Sequence, residues 1–222
     1  MASEQQASVD GSGNIIIQSS GDYAHITIGV PYLSLIQAKT RIDQAQARVK
    51  SEIDLLNPFN RAVELVGREK DLESLWQWLH SDRPIAVRTL TGRAGAGKTR
   101  LAVELMTRLS HEASGQWRSG FVTNRELRRF SDQQNLSTWG WQSPTLVTVD
   151  YAATLAEPLK TCLQELSENI QNCNGKPLRV LLLEREASAE EGWFQSLLGS
   201  SWSGAGVADL FDPPEPIRVQ KL

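Results

Sequence analysis

The chain has 222 residues, 40% of them hydrophobic and 22% charged, with a formal net charge of −3. That length suits one domain with an appendage, or two small domains, and the composition is that of an ordinary soluble protein. A slight acidity without any dense basic run argues against nucleic-acid binding, the polar start "MASEQQASVD" lacks the regions of a signal peptide, and no apolar run reaches the length of a membrane span, so a cytoplasmic protein without membrane attachment is expected.

Residues 1–30 are polar and rich in Gly and Ser. The β-forming runs "NIIIQ" and "AHITI", separated by "SSGD", predict a β-hairpin. Two strands alone are marginal in water, and their free edges invite pairing. Self-association, or docking to a partner protein, is the expected use of Ile15, Ile17, Ile26 and Ile28. Residues 31–56 read as a helical linker. Leu35, Ile42, Val49 and Leu56 repeat every seven residues, with Ala38 and Ala45 near the alternate position and Glu52 breaking that second stripe. The pattern fits a weak coiled coil or an amphipathic helix packed on its own domain. Pro58 then disfavours helix at Asn57. No Cys–His or Ser–His–Asp grouping occurs in residues 1–56, so association rather than catalysis is expected of them.

Residues 57–222 alternate helix and strand, the pattern of an α/β domain. "REKDLESLWQWLH" predicts an amphipathic helix with Leu72, Leu75, Trp76 and Leu79 on one face. "PIAVRTLTG" predicts a buried strand, and "KTRLAVELMTRL" a helix. "SGFVTN" and "TLVTVDYA" predict strands, "AEPLKTCLQELSENI" a helix and "LRVLLLERE" another buried strand. "GWFQSLL" starts a short helix, and "EPIRVQKL" reads as a last strand. Cys162 and Cys173 fall in one predicted helix, about 16 Å apart and too far to bridge, so packing is their expected role. His25, His80 and His111 have no metal-ligand spacing.

The chemistry is concentrated in "TGRAGAGKTR". Gly92 to Thr99 spell G-x-x-x-x-G-K-T, and the run follows a predicted strand and opens a predicted helix, as a P-loop must. Gly92, Gly95 and Gly97, with only Ala94 and Ala96 between them besides Arg93, let the backbone approach phosphate closely. Its amides then form an anion nest at a helix N-terminus. Lys98 would reach the β- and γ-phosphates, and the Thr99 hydroxyl would bind Mg²⁺. Arg93 either touches a phosphate or faces solvent.

Asp150 ends an apolar strand downstream of this loop, the place of a Walker B aspartate that orients the Mg²⁺ shell. Tyr151 follows it, where many P-loop ATPases carry a glutamate that polarises the attacking water. Tyrosine is a poor base at neutral pH, and Glu157 reads as the start of a helix, so slow hydrolysis is expected. Arg185 follows the strand "LRVLLLE", where a cation could sense a γ-phosphate or stabilise transition-state charge.

In combination, "LVGREKDLESLWQWL", "GRAGAGKTRLA", "VTVDYA" and "LRVLLLERE" resemble the bacterial STAND NTPases, relatives of the apoptotic and plant-immunity nucleotide switches. The resemblance covers residues 57–222. It implies a P-loop NTPase core with a parallel sheet of order 5-1-4-3-2, and a signalling switch in a defence or regulatory assembly. It also implies that Val66, Gly67 and Arg68 lie near the adenine and that Arg185 reads the γ-phosphate. STAND proteins normally continue into a helical lid, a winged helix and sensor repeats; this chain ends where the fifth strand is expected, and no repeat of 20–50 residues is present. The guanine-reading Asn/Thr-Lys-x-Asp motif is missing after the fourth strand, so ATP or ADP is expected. Three functions remain open: an ATP-binding switch with slow Mg²⁺-dependent hydrolysis, a non-enzymatic assembly module with a vestigial nucleotide site, and a small-molecule kinase, for which "NRELRRF" would have to supply lid arginines.

Overall fold

The computed structural model describes residues 33–49, 51–62, 64–112, 117–133, 136, 139, 141, 143–170, 175–199 and 206–220. The hairpin expected within residues 1–30 and the expected position of Cys173 lie outside the described residues.

Among the described residues five strands form one sheet: β1 (Ile85–Thr91), β2 (Arg118–Phe121), β3 (Thr145–Asp150), β4 (Leu178–Leu183) and β5 (Ile217–Arg218). Their spatial order is β2-β3-β4-β1-β5, which is 5-1-4-3-2 read from the β5 edge. All neighbouring pairs run parallel. Among the described residues six α-helices flank the sheet: α1 (Ala38–Gln46), α2 (Glu69–Leu79), α3 (Lys98–Ser110), α4 (Asn124–Gln133), α5 (Ala156–Glu168) and α6 (Gly192–Leu198). Parallel strands are covered on both faces, which is why "TLVTVD" and "LRVLLL" read as nearly continuous apolar runs.

Successive side chains on a strand point to opposite faces, and the two cores divide accordingly. Val147, Val149, Val180 and Leu182 join one cluster with Leu127 and Phe130 of α4, Leu159 and Leu163 of α5 and Phe194 of α6. Leu146, Leu181, Leu183 and Leu90 join the other, with Trp78 of α2, Leu101 and Leu105 of α3 and Ala38 of α1. Each fully buried leucine contributes about 1.5–3 kcal/mol. Cys162 belongs to the first core, and burial pushes its thiol up to about 12, so it packs and does not react at neutral pH.

Two arginines interrupt the strands' apolar faces and are nonetheless buried. Arg179 of β4 donates through Nε to the carbonyls of Trp78 and Leu79, both at 3.1 Å, and through its terminal nitrogens to Ser81 O at 2.7 Å and Arg83 O at 2.8 Å. These include carbonyls at the end of α2, groups that a helix cannot satisfy internally. Arg88 of β1 donates to Asp212 O and Ser74 O. Each guanidinium is placed where backbone carbonyls converge, which is what makes its burial tolerable.

The continuous helix expected over residues 33–56 is broken. Ile36 first forms an antiparallel bridge with Phe121, the two exchanging N–H···O bonds of 2.8 Å. This crossing needs Gly120, because a Cβ there would lie 2.7 Å from Ile36 O. α1 then ends at Gln46, and a 3₁₀ helix spans Glu52–Leu56. The break has a chemical cause: Ser51 and Asp54 form a capping box, with Ser51 N donating to Asp54 Oδ2 at 2.9 Å, which starts a new helical turn. Val49 is 40% exposed and Leu56 81% exposed, so the seven-residue repeat does not form one buried seam. The segment is fastened to the domain. Arg41 of α1 stacks over Phe121 (4.7 Å to the ring centroid) and Phe59 (5.2 Å), and Arg61 makes a bidentate pair with Glu104 of α3. Among the described residues, no helix is long and apolar enough to cross a membrane.

Candidate functional site

The carboxyl ends of β1, β3 and β4 open onto one cleft of about 470 Å³. This is the face of a parallel sheet where ligands gather. The loop Gly92–Thr99 leaves β1 and enters α3. Gly92 has φ +150°, and a Cβ on it would lie 2.6 Å from Val219 O, so the residue after β5 can close against the loop only with glycine there. Gly97, at φ +93°, is the residue preceding α3 and has no side chain to cap it. The first amides of α3 are left to an outside acceptor, the arrangement that suits an anion.

Lys98 is curled over this loop, its Nζ donating to Gly92 O at 2.6 Å and Arg93 O at 3.3 Å. Burial lowers its pKa, the carboxylates of Asp150 and Glu184 raise it again, and the Arg185 cation lowers it. Thr99 Oγ1 donates to Asp150 Oδ2 at 3.1 Å. Asp150 Oδ1 accepts from Tyr151 N at 3.1 Å. Burial pushes the Asp150 carboxyl above its ordinary range; the bonds from Thr99 and Tyr151 and the charges of Arg41 and Lys98 oppose this only in part. Tyr151 adopts a left-handed φ of +58° and is 60% exposed at the rim. A non-glycine residue in that region costs about 1–3 kcal/mol, a strain found mostly at functional sites.

Lys98, Thr99, Asp150 and Arg185 therefore share one cleft, together with Ala94, Gly95 and Gly97 of the loop. Ala96 is buried beneath it and Arg93 is exposed. Val66 and Gly67 are not part of the described wall. Arg68 is buried instead: it donates to Ala96 O at 2.9 Å and also to Gln220 O, and pairs with Asp71 at 3.0 Å. It holds the underside of the loop against the strand end beyond β5.

Two parts of the wall are absent from the sequence-based reading. One is the segment before α2, where Leu55, Leu56, Asn57 and Pro58 line the cleft with Leu65. The exposed apolar pair Leu55–Leu56 just before a Pro stop was the available signal. The other is Glu184, which follows β4. Its carboxylate accepts from Arg185 N at 2.7 Å and from Ala153 N at 3.0 Å.

No protein-family model and no curated protein matches this chain. Among the described residues no group of three or more His, Cys, Asp or Glu could hold a metal ion. The Thr99 hydroxyl and Asp150 carboxylate bring two hard oxygen donors within 3.1 Å of each other. Such a pair fits Mg²⁺, which keeps most of its shell for water and substrate phosphates, better than a cation that needs a full protein cage.

Proposed function

We propose that the cleft binds ATP with Mg²⁺, and that the chain is a nucleotide-dependent switch of the STAND-like kind with slow hydrolysis. The observation that carries this reading is the Thr99–Asp150 hydrogen bond of 3.1 Å beside Lys98, at the mouth of a glycine-rich loop. The loop amides and the α3 N-terminus would hold the phosphates. Lys98 would exchange its bonds to Gly92 O and Arg93 O for bonds to phosphate oxygens. Arg185, beside it, would meet the γ-phosphate end. Thr99 and Asp150 would hold the cation, which supplies charge neutralisation at the β- and γ-phosphates.

The base and sugar would lie toward Leu55, Leu56 and Leu65. A leucine as exposed as Leu56 on a cleft wall is apolar area that a purine ring can cover. The volume of about 470 Å³ is in the usual range for small-ligand sites. Tyr151, in the position after Asp150, supports a long-lived bound state over rapid turnover. Association with a second copy or a partner protein belongs, on this reading, to the segment before residue 33, in the cytoplasm.

Titration with a fluorescent ATP analogue tests the reading. Lys98 contributes charge-assisted hydrogen bonds worth about 1.5–3 kcal/mol, so Lys98→Ala should weaken binding by about 10- to 150-fold with little change in thermal midpoint. Unchanged affinity in that variant would remove the nucleotide from the account. Steady-state phosphate release should fall well below the ~10 s⁻¹ median of enzymes.

A further inference from the structure

The strand registers put one carboxylate in an unexpected place. β3 and β4 pair Asp150 with Leu183, and β1 and β4 pair Leu90 with Leu183. The next residue, Glu184, is therefore level with Tyr151 on one side and Thr91 on the other. An acid following Asp150 in the chain would occupy this same level, one strand away. We propose that Glu184 is the general base of the hydrolysis suggested above, an inference that rests on the nucleotide reading.

Among the described residues, the carboxylates that line the cleft are Glu64, Asp150 and Glu184. Asp150 is bonded to Thr99, the candidate cation ligand. Glu64 belongs with Ala62 and Leu65 to the connection that precedes α2, away from the strand ends in the chain and not held by their register. Glu184 remains, and its charge acts directly on the Lys98 ammonium. The N–H groups of Arg185 and Ala153 each bond one of its oxygens, at 2.7 and 3.0 Å, which fixes the plane of the carboxylate. Each carboxylate oxygen keeps a second acceptor site, so a water molecule can be held there without breaking either bond. The Ala153 bond also ties Glu184 to the turn after Tyr151, so base and strand end move together.

The step balances with water and ATP alone. The water oxygen forms a bond to the γ-phosphorus as the bond from that phosphorus to the β–γ bridging oxygen breaks. The electron pair of the broken bond leaves on ADP, facing Lys98. The water proton passes to Glu184 and from there to solvent, and inorganic phosphate departs.

The experiment compares the full-length wild type with Glu184→Gln and Glu184→Ala, measuring ATP-analogue affinity and phosphate release separately. General-base catalysis is worth about 10²–10⁴-fold. Glu184→Gln should therefore release phosphate at least ~100-fold more slowly while binding the analogue about as tightly as wild type. Added formate should restore part of the rate to Glu184→Ala by replacing the missing carboxylate. Rescue by formate is not expected of a residue that only braces the turn, so this arm decides the matter even if Glu184→Gln is poorly folded. Wild-type rates in Glu184→Gln, no rescue of Glu184→Ala, or a wild type that binds ATP and never releases phosphate would each overturn the role of Glu184 and leave the nucleotide site standing. A wild type that does not bind the analogue would overturn both.

Discussion

Replacing Asp150 by asparagine should stabilise the metal-free protein and remove the effect of magnesium on ATP affinity. Asparagine has the same shape. Its Oδ1 can keep the bond from Tyr151 N, and its Nδ2 can donate to Thr99 Oγ1, whose hydroxyl proton rotates away. What disappears is a carboxylate charge that burial disfavours. Alanine removes the same charge but also both hydrogen bonds, at about 1 kcal/mol each. The two variants should thus differ by about 2 kcal/mol, or about 4–8 °C in thermal midpoint for a chain of this size, with asparagine above wild type at neutral pH. The pH dependence has a definite sign. The folded carboxyl holds its proton more tightly than the ordinary value of 3.8, so Asp150 stabilises the fold at low pH and that contribution is lost as pH rises through its raised pKa. The advantage of the asparagine variant should therefore shrink on acidification toward 3.8. Calorimetry in the presence of a chelator measures this, and titration of the ATP analogue with and without Mg²⁺ measures the functional arm. An asparagine variant that melts below wild type, or that coincides with the alanine variant, would show that the buried Asp150 charge does not cost the fold stability.

Arg68→Ala should loosen the segment that follows β5 rather than alter base recognition: amide exchange at Val219 should accelerate, with a stability loss of about 3–6 kcal/mol for the two charged hydrogen bonds lost to Ala96 O and Gln220 O, and unchanged exchange there would show that Arg68 holds nothing. Deletion of residues 1–32 should lower the oligomeric mass in light scattering while ATP-analogue affinity stays within about twofold, since the cleft wall begins at Leu55; a full-length chain that is already monomeric with ATP and Mg²⁺ would end the association idea.

The strands and the glycine-rich loop between β1 and α3 were legible because each carries its own local cause. A strand covered on both faces must be apolar nearly throughout, and a loop that approaches phosphate must be glycine-rich before a helix. The pairing of Thr99 with Asp150 followed from those two features. Glu184 was illegible because its meaning depends on the β3–β4 register: a glutamate after a strand has no local mark, and only the level shared with Tyr151 gives it a role. Arg68 reads in sequence as part of a Val-Gly-Arg run, yet its side chain is turned under the loop toward Ala96 O, a direction set by the packing of α2. Residues 33–56 misled for the opposite reason. Leu35, Ile42, Val49 and Leu56 hold helical spacing, but the S-x-x-D of Ser51 and Asp54 is a start signal inside it, and a start signal implies a preceding stop.

The bonds from Arg179 to α2 bear on how the molecule can be made. The contact with Trp78 spans 101 positions in the chain, and both neighbours of β1, β4 and β5, are synthesised after it. At ~5–20 residues per second, the ribosome delivers β4 about 5–20 s after α2. Throughout that interval β1 has neither of its native partners in the sheet, and the carbonyls at the end of α2 lack their guanidinium. The loop that would bind nucleotide is complete in sequence by Thr99, but it has no platform to hold its shape until β4 arrives. A ligand held by that loop would therefore meet the domain only once its C-terminal half is in place, and until then the nascent chain carries an apolar strand without its sheet neighbours.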